Sequence, residues 1–215
     1  IQLTIDRLKN KYSNLINISD KDNFNDYLKI IINQIKQIEN LVNEFSDFAR
    51  MPKPILKEND LVLIVNENIK LLSEIDSTIK INFKYNKQKI MFICDSEQIT
   101  RVFLNLIKNS IESIQEKCLK NTDFIKKIDI EITNKNDYIE FIIIDNGSGF
   151  SVKNLDNIIK PYFTTKAKGS GLGLSIVNKI INDHNGKIRF IEQNIGAKII
   201  INFKKNDYWN INYRW

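Results

Sequence analysis

Apolar positions in the first fifty residues recur at helical spacing. Ile1, Ile5, Leu8, Tyr12 and Leu15 are separated alternately by four and three residues. The run Ser19-Asp20-Lys21-Asp22-Asn23 is rich in turn and capping residues and is expected to break the pattern. Phe24, Leu28, Ile31, Ile35, Ile38, Val42, Phe45 and Ala49 then follow at alternating spacings of four and three without a slip. That 3.5-residue period predicts a second helix with a coiled-coil-like seam. Two antiparallel helices of this kind each leave an apolar stripe, and pairing with a second copy into a four-helix bundle would bury both. Met51-Pro52-Lys53-Pro54 must end the helix, since proline lacks the N–H and restrains the residue before it. Residues 52–59 are therefore read as a linker between a hairpin over 1–51 and a second domain over 60–205.

Past Asp60 the period alternates between helical and extended. Leu61 to Leu72 reads as a helix. Ile79, Ile81, Phe83 and Tyr85 alternate with polar residues, the mark of a half-buried strand. Lys89–Cys94 reads as another strand. Asp95 to about Lys117 reads as a long helix with Asp95 or Ser96 as N-cap. Ile128, Ile130 and Ile132 mark a strand, Tyr138–Ile144 a more buried one. A flexible stretch is expected from Gly147 to Gly173, then a helix over Leu174–Asp183 closed by Asn185-Gly186. Ile188–Ile191 and Ile199–Phe203 are expected to pair as a hairpin around Gly196. The predicted fold is α+β: a helical hairpin, then an α/β sandwich of a mixed sheet with helices on one face. The aromatic, polar stretch 206–215 receives no role.

Composition narrows this picture little. The chain has 215 residues, 42% hydrophobic and 27% charged, as expected of a globular protein. No apolar run is long enough to span a bilayer, and no secretory pattern opens the sequence. Two cysteines, Cys94 and Cys118, without a CxxC pair argue against a disulfide framework or a zinc site, and suit a reducing compartment. The net charge of +6 comes from scattered lysines in a chain rich in Ile, Asn and Lys together. Such scatter fits codon bias in an AT-rich genome better than a nucleic-acid-binding patch.

Three polar clusters carry the candidate chemistry. Asn105 and Asn109 are four apart on the long helix and share a face with Lys108 and Glu112 nearby, while Leu104, Ile107 and Ile111 are expected in the core. An amide oxygen can ligate Mg²⁺, which keeps most of its waters. Asp145-Asn146-Gly147-Ser148-Gly149-Phe150 follows a buried strand. A carboxylate there can accept a hydrogen bond from an exocyclic amine such as that of adenine, or merely cap a glycine turn. Lys168-Gly169-Ser170-Gly171-Leu172-Gly173 runs into a helix, where backbone N–H groups and the helix dipole favour phosphate. It does not follow a strand of a βαβ unit and lacks a GK[ST] ending, so neither a Rossmann nor a Walker loop fits. With Pro161-Tyr162-Phe163-Thr164-Thr165-Lys166 before it, it reads as a lid over a nucleotide.

The order of these motifs (Asn box, Asp-x-Gly-x-Gly, Phe-Thr-Thr-Lys, Gly-x-Gly-x-Gly) resembles the ATP-binding domain of sensor histidine kinases, the GHKL or Bergerat-type fold, over about residues 60–205. The preceding hairpin resembles their dimerisation and histidine-phosphotransfer domain. Val42 to Pro54 is similar to NtrY-like nitrogen-regulation sensor kinases. The resemblance implies ATP and Mg²⁺ as cofactors. Asn109 would ligate Mg²⁺, with Asn105 in the same pocket and Lys108 against phosphate. Asp145 would bind the adenine amine, and Gly147, Gly149 and Phe150 would shape its pocket. Thr165, Lys166, Gly169, Ser170, Gly171, Leu172 and Gly173 would form the lid and its base. Phosphoryl transfer needs chiefly positioning and charge neutralisation, which these residue types supply.

The resemblance also implies a homodimer, a response-regulator receiver domain as partner, and a cytoplasmic location, with any inner-membrane anchor upstream. The family's acceptor histidine would lie upstream of Ile1, so these residues are not expected to autophosphorylate. The single histidine, His184, reads as a helix C-terminal residue. The alternative reading is a dimeric nucleotide-binding regulator or pseudokinase acting on a response regulator. A chaperone or mismatch-repair ATPase of the same fold would carry a glutamate near the position of Asn105.

Overall fold

The computed structural model describes residues 2–12, 15, 18–73, 76–86, 88–119, 123–150, 155–166 and 169–205. The stretch 206–215, for which the sequence suggested no role, lies outside them. The chain divides into two compact units. One comprises the N-terminal helices through Met51 together with Lys166, Gly169 and Ser170; the other runs from Pro52 through Thr165 and resumes at Gly171.

In the first unit, α1 spans Gln2–Tyr12 and α2 spans Ile18–Ala49. The residues Ser19–Asn23 lie within α2 and do not form the expected break. Polar residues of this kind suit a helix's first turns as well as a loop, and Asp20 places negative charge at the positive end of the dipole. Ile31, Ile38, Val42 and Phe45 of the heptad are exposed, and so are Leu3, Leu8 and Tyr12 of α1.

The second unit is built on a five-stranded sheet in the order β2-β4-β5-β7-β6. Its strands are β2 (Lys80–Lys84), β4 (Lys127–Asn134), β5 (Tyr138–Asp145), β6 (Gly186–Glu192) and β7 (Ala197–Lys204). Only β2 and β4 pair in parallel; the other three pairings are antiparallel. Alternation puts Ile128, Ile130 and Ile132, Ile139, Phe141 and Ile143, and Ile199, Ile201 and Phe203 on one buried face. Helices α3 (Leu61–Ser73), α4 (Ser96–Cys118) and α5 (Gly173–Asp183) supply the facing layer. Phe103 of α4 meets Phe141 at 5.0 Å between ring centroids, and Phe141 meets Phe203 edge-on at 5.9 Å. No helix among the described residues is long and apolar enough to cross a membrane.

In this second unit three features differ from the sequence reading. Lys57–Asp60, which overlaps the end of the expected linker, forms β1 and pairs antiparallel with β3 (Met91–Cys94). Its four residues are all polar, so no period marks it; pairing and the Asn59 amide, which donates to the Lys57 and Cys94 carbonyls, hold it. The stretch expected to be flexible contains a 3₁₀ turn at Leu155–Ile159. Leu104, expected in the core, is half-buried, while Ile107 and Ile111 are buried as expected.

Caps fix the long helix. The Asp95 side chain accepts hydrogen bonds from the Glu97 and Gln98 amides, so it is the N-cap of α4, and it also accepts from the Ile55 amide. His184 caps the far end of α5 and is 4% exposed. Its Nε2 lies 3.1 Å from the Asp95 amide nitrogen, which can only donate, so Nε2 accepts. Nδ1, 2.8 Å from the Ile180 carbonyl, then carries the ring proton. The imidazole thus joins the start of α4 to the end of α5.

The β6–β7 turn holds Gly196 at φ +75°, and a Cβ there would lie 1.9 Å from the Asp145 carbonyl oxygen. Gly196→Ala is expected to destabilise the fold by about 3 kcal/mol or more, from the left-handed strain and the clash together. Urea unfolding followed by circular dichroism measures it; a change below about 0.5 kcal/mol would contradict this packing.

Candidate nucleotide site

The end of β5 delivers Asp145 into the interior beside α4. It is 4% exposed, and burial pushes its carboxyl above the ordinary carboxylate range. Hydrogen bonds from the Gly147 amide, the Ser110 hydroxyl and the Ala197 amide, with the charge of Lys117, pull the other way. The Gly147 N–H donates to Oδ1 at 3.0 Å and the Ser110 Oγ to Oδ2 at 3.2 Å. Each carboxylate oxygen retains acceptor capacity, so a ligand amine could be received there.

The turn after Asp145 is pressed onto α4. A Cβ on Gly147 would lie 2.4 Å from Ser113 Oγ and 2.7 Å from the Ile114 nitrogen, so glycine is required by close approach. The Ser148 amide donates to the Ser113 carbonyl, and Lys117 Nζ donates to the Asn146 carbonyl at 2.7 Å. The Asn146 side chain bridges two backbone groups ahead of and within β4, donating to the Ile125 carbonyl and accepting from the Lys127 amide. Gly149 sits at φ +77° with its Cβ position 2.8 Å from the Gly196 carbonyl. The half-buried Phe150 meets the Phe190 ring edge-on at 5.8 Å.

Asn105 and Asn109 are both half-buried on one face of α4, and Lys108 is exposed. The Asn105 Nδ2 donates to the Arg101 carbonyl one turn back. A Cβ on Gly173 would stand 3.1 Å from Asn105 Oδ1, so the first residue of α5 lies directly against this amide. The N-cap of α5 is Leu172, whose side chain has no oxygen with which to cap the helix, leaving a dipole end suited to an anion. Just before it, Gly171 has φ +71°, and a Cβ would approach within 2.5 Å of the Tyr162 backbone. Tyr162 itself is a non-glycine residue at φ +66°. Gly171 and Tyr162 are thus a pair of left-handed residues packed backbone to backbone. Thr165 is exposed in this unit. Lys166, Gly169 and Ser170 fall in the helical unit, where the Gly169 amide donates to the Lys166 carbonyl.

Within the second unit, helix α4 therefore links two groups of sequence candidates: Asp145, Gly147 and their turn at one end, and Asn105 with Gly173 nearer its middle. Sequence reasoning missed Ser110 and Lys117. Ser110 follows Asn109 directly, and its spacing from the core residues of α4 marks it as a buried polar position. The donor set along α4 is oxygen-rich and suits a hard cation; no group of three or more His, Cys, Asp or Glu that could hold a metal occurs among the described residues.

Comparison with known proteins gives the arrangement its family. Residues 94–207 match the family described as Histidine kinase-, DNA gyrase B-, and HSP90-like ATPase. The NtrY-like sensor histidine kinase of Rickettsia prowazekii is 36% identical over 204 residues, which are 94% of this chain and 33% of that protein. Nitrogen regulation protein NtrY of Azorhizobium caulinodans is 31% identical over 87% of this chain and 24% of its own length. The chain spans about one third or less of the curated relatives it matches. Among solved structures, the nucleotide-free catalytic domain of histidine kinase ThkA is 28% identical with a TM-score of 0.61, covering 70% of this chain and 95% of that one. ThkA in complex with the response regulator protein TrrA shares the fold at a TM-score of 0.70 and 24% identity, covering 94% of this chain and 57% of that one. On the sequence match and the fold together, the chain belongs to the histidine kinase-, DNA gyrase B- and HSP90-like ATPase family, with NtrY-like sensor histidine kinases among its relatives.

Proposed function

We propose that this chain is the catalytic core of a two-component sensor histidine kinase, binding Mg-ATP and passing its γ-phosphoryl group to a histidine and then to a response-regulator aspartate. The observation that carries the reading is Asp145: a buried carboxylate at a strand end, braced by Ser110 and the Gly147 amide yet able to accept a further donor. It binds the adenine amine. Gly147, Gly149 and Phe150 form the wall on the base side. Asn109 holds Mg²⁺ through its amide oxygen, with Asn105 beside it and Lys108 toward the phosphates. Thr165, Lys166, Gly169, Ser170, Gly171, Leu172 and Gly173 are the lid residues, and the N-terminus of α5 favours phosphate. The bound nucleotide supplies the phosphoryl group, and the protein's own residues supply orientation and charge neutralisation.

The acceptor is a histidine outside these 215 residues. His184 is buried and both of its ring nitrogens are engaged in capping. Residues 1–51 form the dimerisation and phosphotransfer hairpin, and the receiver domain of a response regulator is the partner. The complex of ThkA with TrrA supports that choice of partner by analogy of fold. The alternative, a regulator that binds nucleotide without transferring phosphate, predicts the same binding and differs only in phosphotransfer.

Titration of Mg-ATP into this chain should show binding by calorimetry, and Asp145→Asn should weaken it at least a hundredfold with the circular dichroism spectrum unchanged. Unchanged affinity in the variant would remove Asp145 from the site. The exposed heptad positions of α2 support the dimer. Phe45→Lys places a charge in that seam and should convert a dimer to a monomer by light scattering; an unaltered mass would contradict the bundle.

A further inference from the structure

Asp145 accounts for adenine recognition in the proposed function, but nothing in that reading explains how a carboxyl group this deeply buried is kept aimed at a ligand. We infer that Ser110 is a positioning residue for Asp145, fixing the carboxylate's orientation and favouring its charged form for the ligand amine. This rests on the nucleotide-binding reading above.

The geometry is specific. Ser110 is 2% exposed, and its hydroxyl points from α4 to Asp145 Oδ2 at 3.2 Å. A buried hydroxyl must find a partner, and an ionised carboxylate is the strongest acceptor available to it. The opposite oxygen is held by the Gly147 amide at 3.0 Å. The two donors reach different oxygens from different elements, so rotation about the Cβ–Cγ bond is blocked on both sides. With its proton committed to Asp145, the Ser110 oxygen offers only lone pairs to the ligand side. A donor such as an exocyclic amine is welcomed there, and a carbonyl oxygen is not.

The other neighbours leave this task to Ser110. On α4 the charged group acting on Asp145 is Lys117, whose Nζ is already bound to the Asn146 carbonyl. Facing strands contribute no side-chain donor: β4 presents Ile128 in register with Asp145, and β7 presents Ala197, whose amide bonds the carboxylate. Burial pushes the carboxyl upward, toward the neutral form. Because that form binds its proton in the folded state, loss of a hydrogen bond to the charged form moves the titration further up.

The test is Ser110→Ala, which removes the hydroxyl and adds no bulk. Carbon-13 NMR of the Asp145 side-chain carboxyl in the nucleotide-free chain should show its titration midpoint move upward by about one pH unit. ATP affinity should fall on the order of fivefold at pH 7, with the loss greatest on the acid side and smallest at pH 9. A purely structural role would lower affinity equally at every pH and leave the carboxyl midpoint in place; either result overturns the inference. If wild type fails to bind ATP, the functional reading fails instead, while the carboxyl titration still decides whether Ser110 controls Asp145.

Discussion

The site depends on one costly choice: a carboxylate is taken out of water at the end of a central strand. An isolated ionised group in such a place would protonate or unfold its surroundings. Asp145 is tolerated because donors surround it. The Gly147 amide, the Ser110 hydroxyl and the Ala197 amide each bond it, and Lys117 adds a compensating charge. Those donors arrive only if the following turn lies flat on α4, and that demand fixes the glycines. Gly147 gives way to Ser113, Gly149 to the Gly196 carbonyl, and Gly196 to the Asp145 carbonyl itself. The Asp-x-Gly-x-Gly motif is the sequence trace of this packing as much as of any ligand contact.

Helix α4 is the beam on which both ends of the site are mounted. One face, with Ile99, Phe103, Leu106 and Ile107, is sunk into the sheet layer. Another carries Asn105 against the start of α5. Near its C-terminal end, Ser110, Ser113 and Lys117 grip the Asp145 turn. A rigid helix of this kind sets the distance between the Asp145 carboxylate and the Asn105 and Asn109 amides. His184 and Asp95 tie the start of α4 to the end of α5, so the two helices are joined at that point of the layer.

The sandwich was legible because its strands are nearly all isoleucine on the buried face and its helices keep a clear period. The Asp145 and glycine motifs were legible because glycine and a strand-end acid stand out against that background. Features held only by tertiary partners were not. β1 is four polar residues that become a strand because β3 is beside them. Ser19–Asn23 read as a turn because their side chains suit helix starts and loops equally, and the backbone chose helix. Ser110 could be read as a buried position from its spacing to Phe103, Leu106 and Ile107, but its partner could not, because only the fold brings Asp145 of β5 alongside. At Gly147 the constraint is lack of room beside Ser113 and Ile114 rather than a left-handed φ, which only the fold reveals.

The proposed nucleotide site turns on Asp145 accepting a hydrogen bond from an exocyclic amine. The most direct measurement compares ATP with its analogue lacking only the 6-amino group, purine riboside triphosphate, in wild type and in Asp145→Asn. Wild type should bind the analogue at least tenfold more weakly than ATP, as expected for a buried charged acceptor left unpaired, and the variant should no longer distinguish the two. Equal affinity of wild type for both nucleotides would contradict the claim.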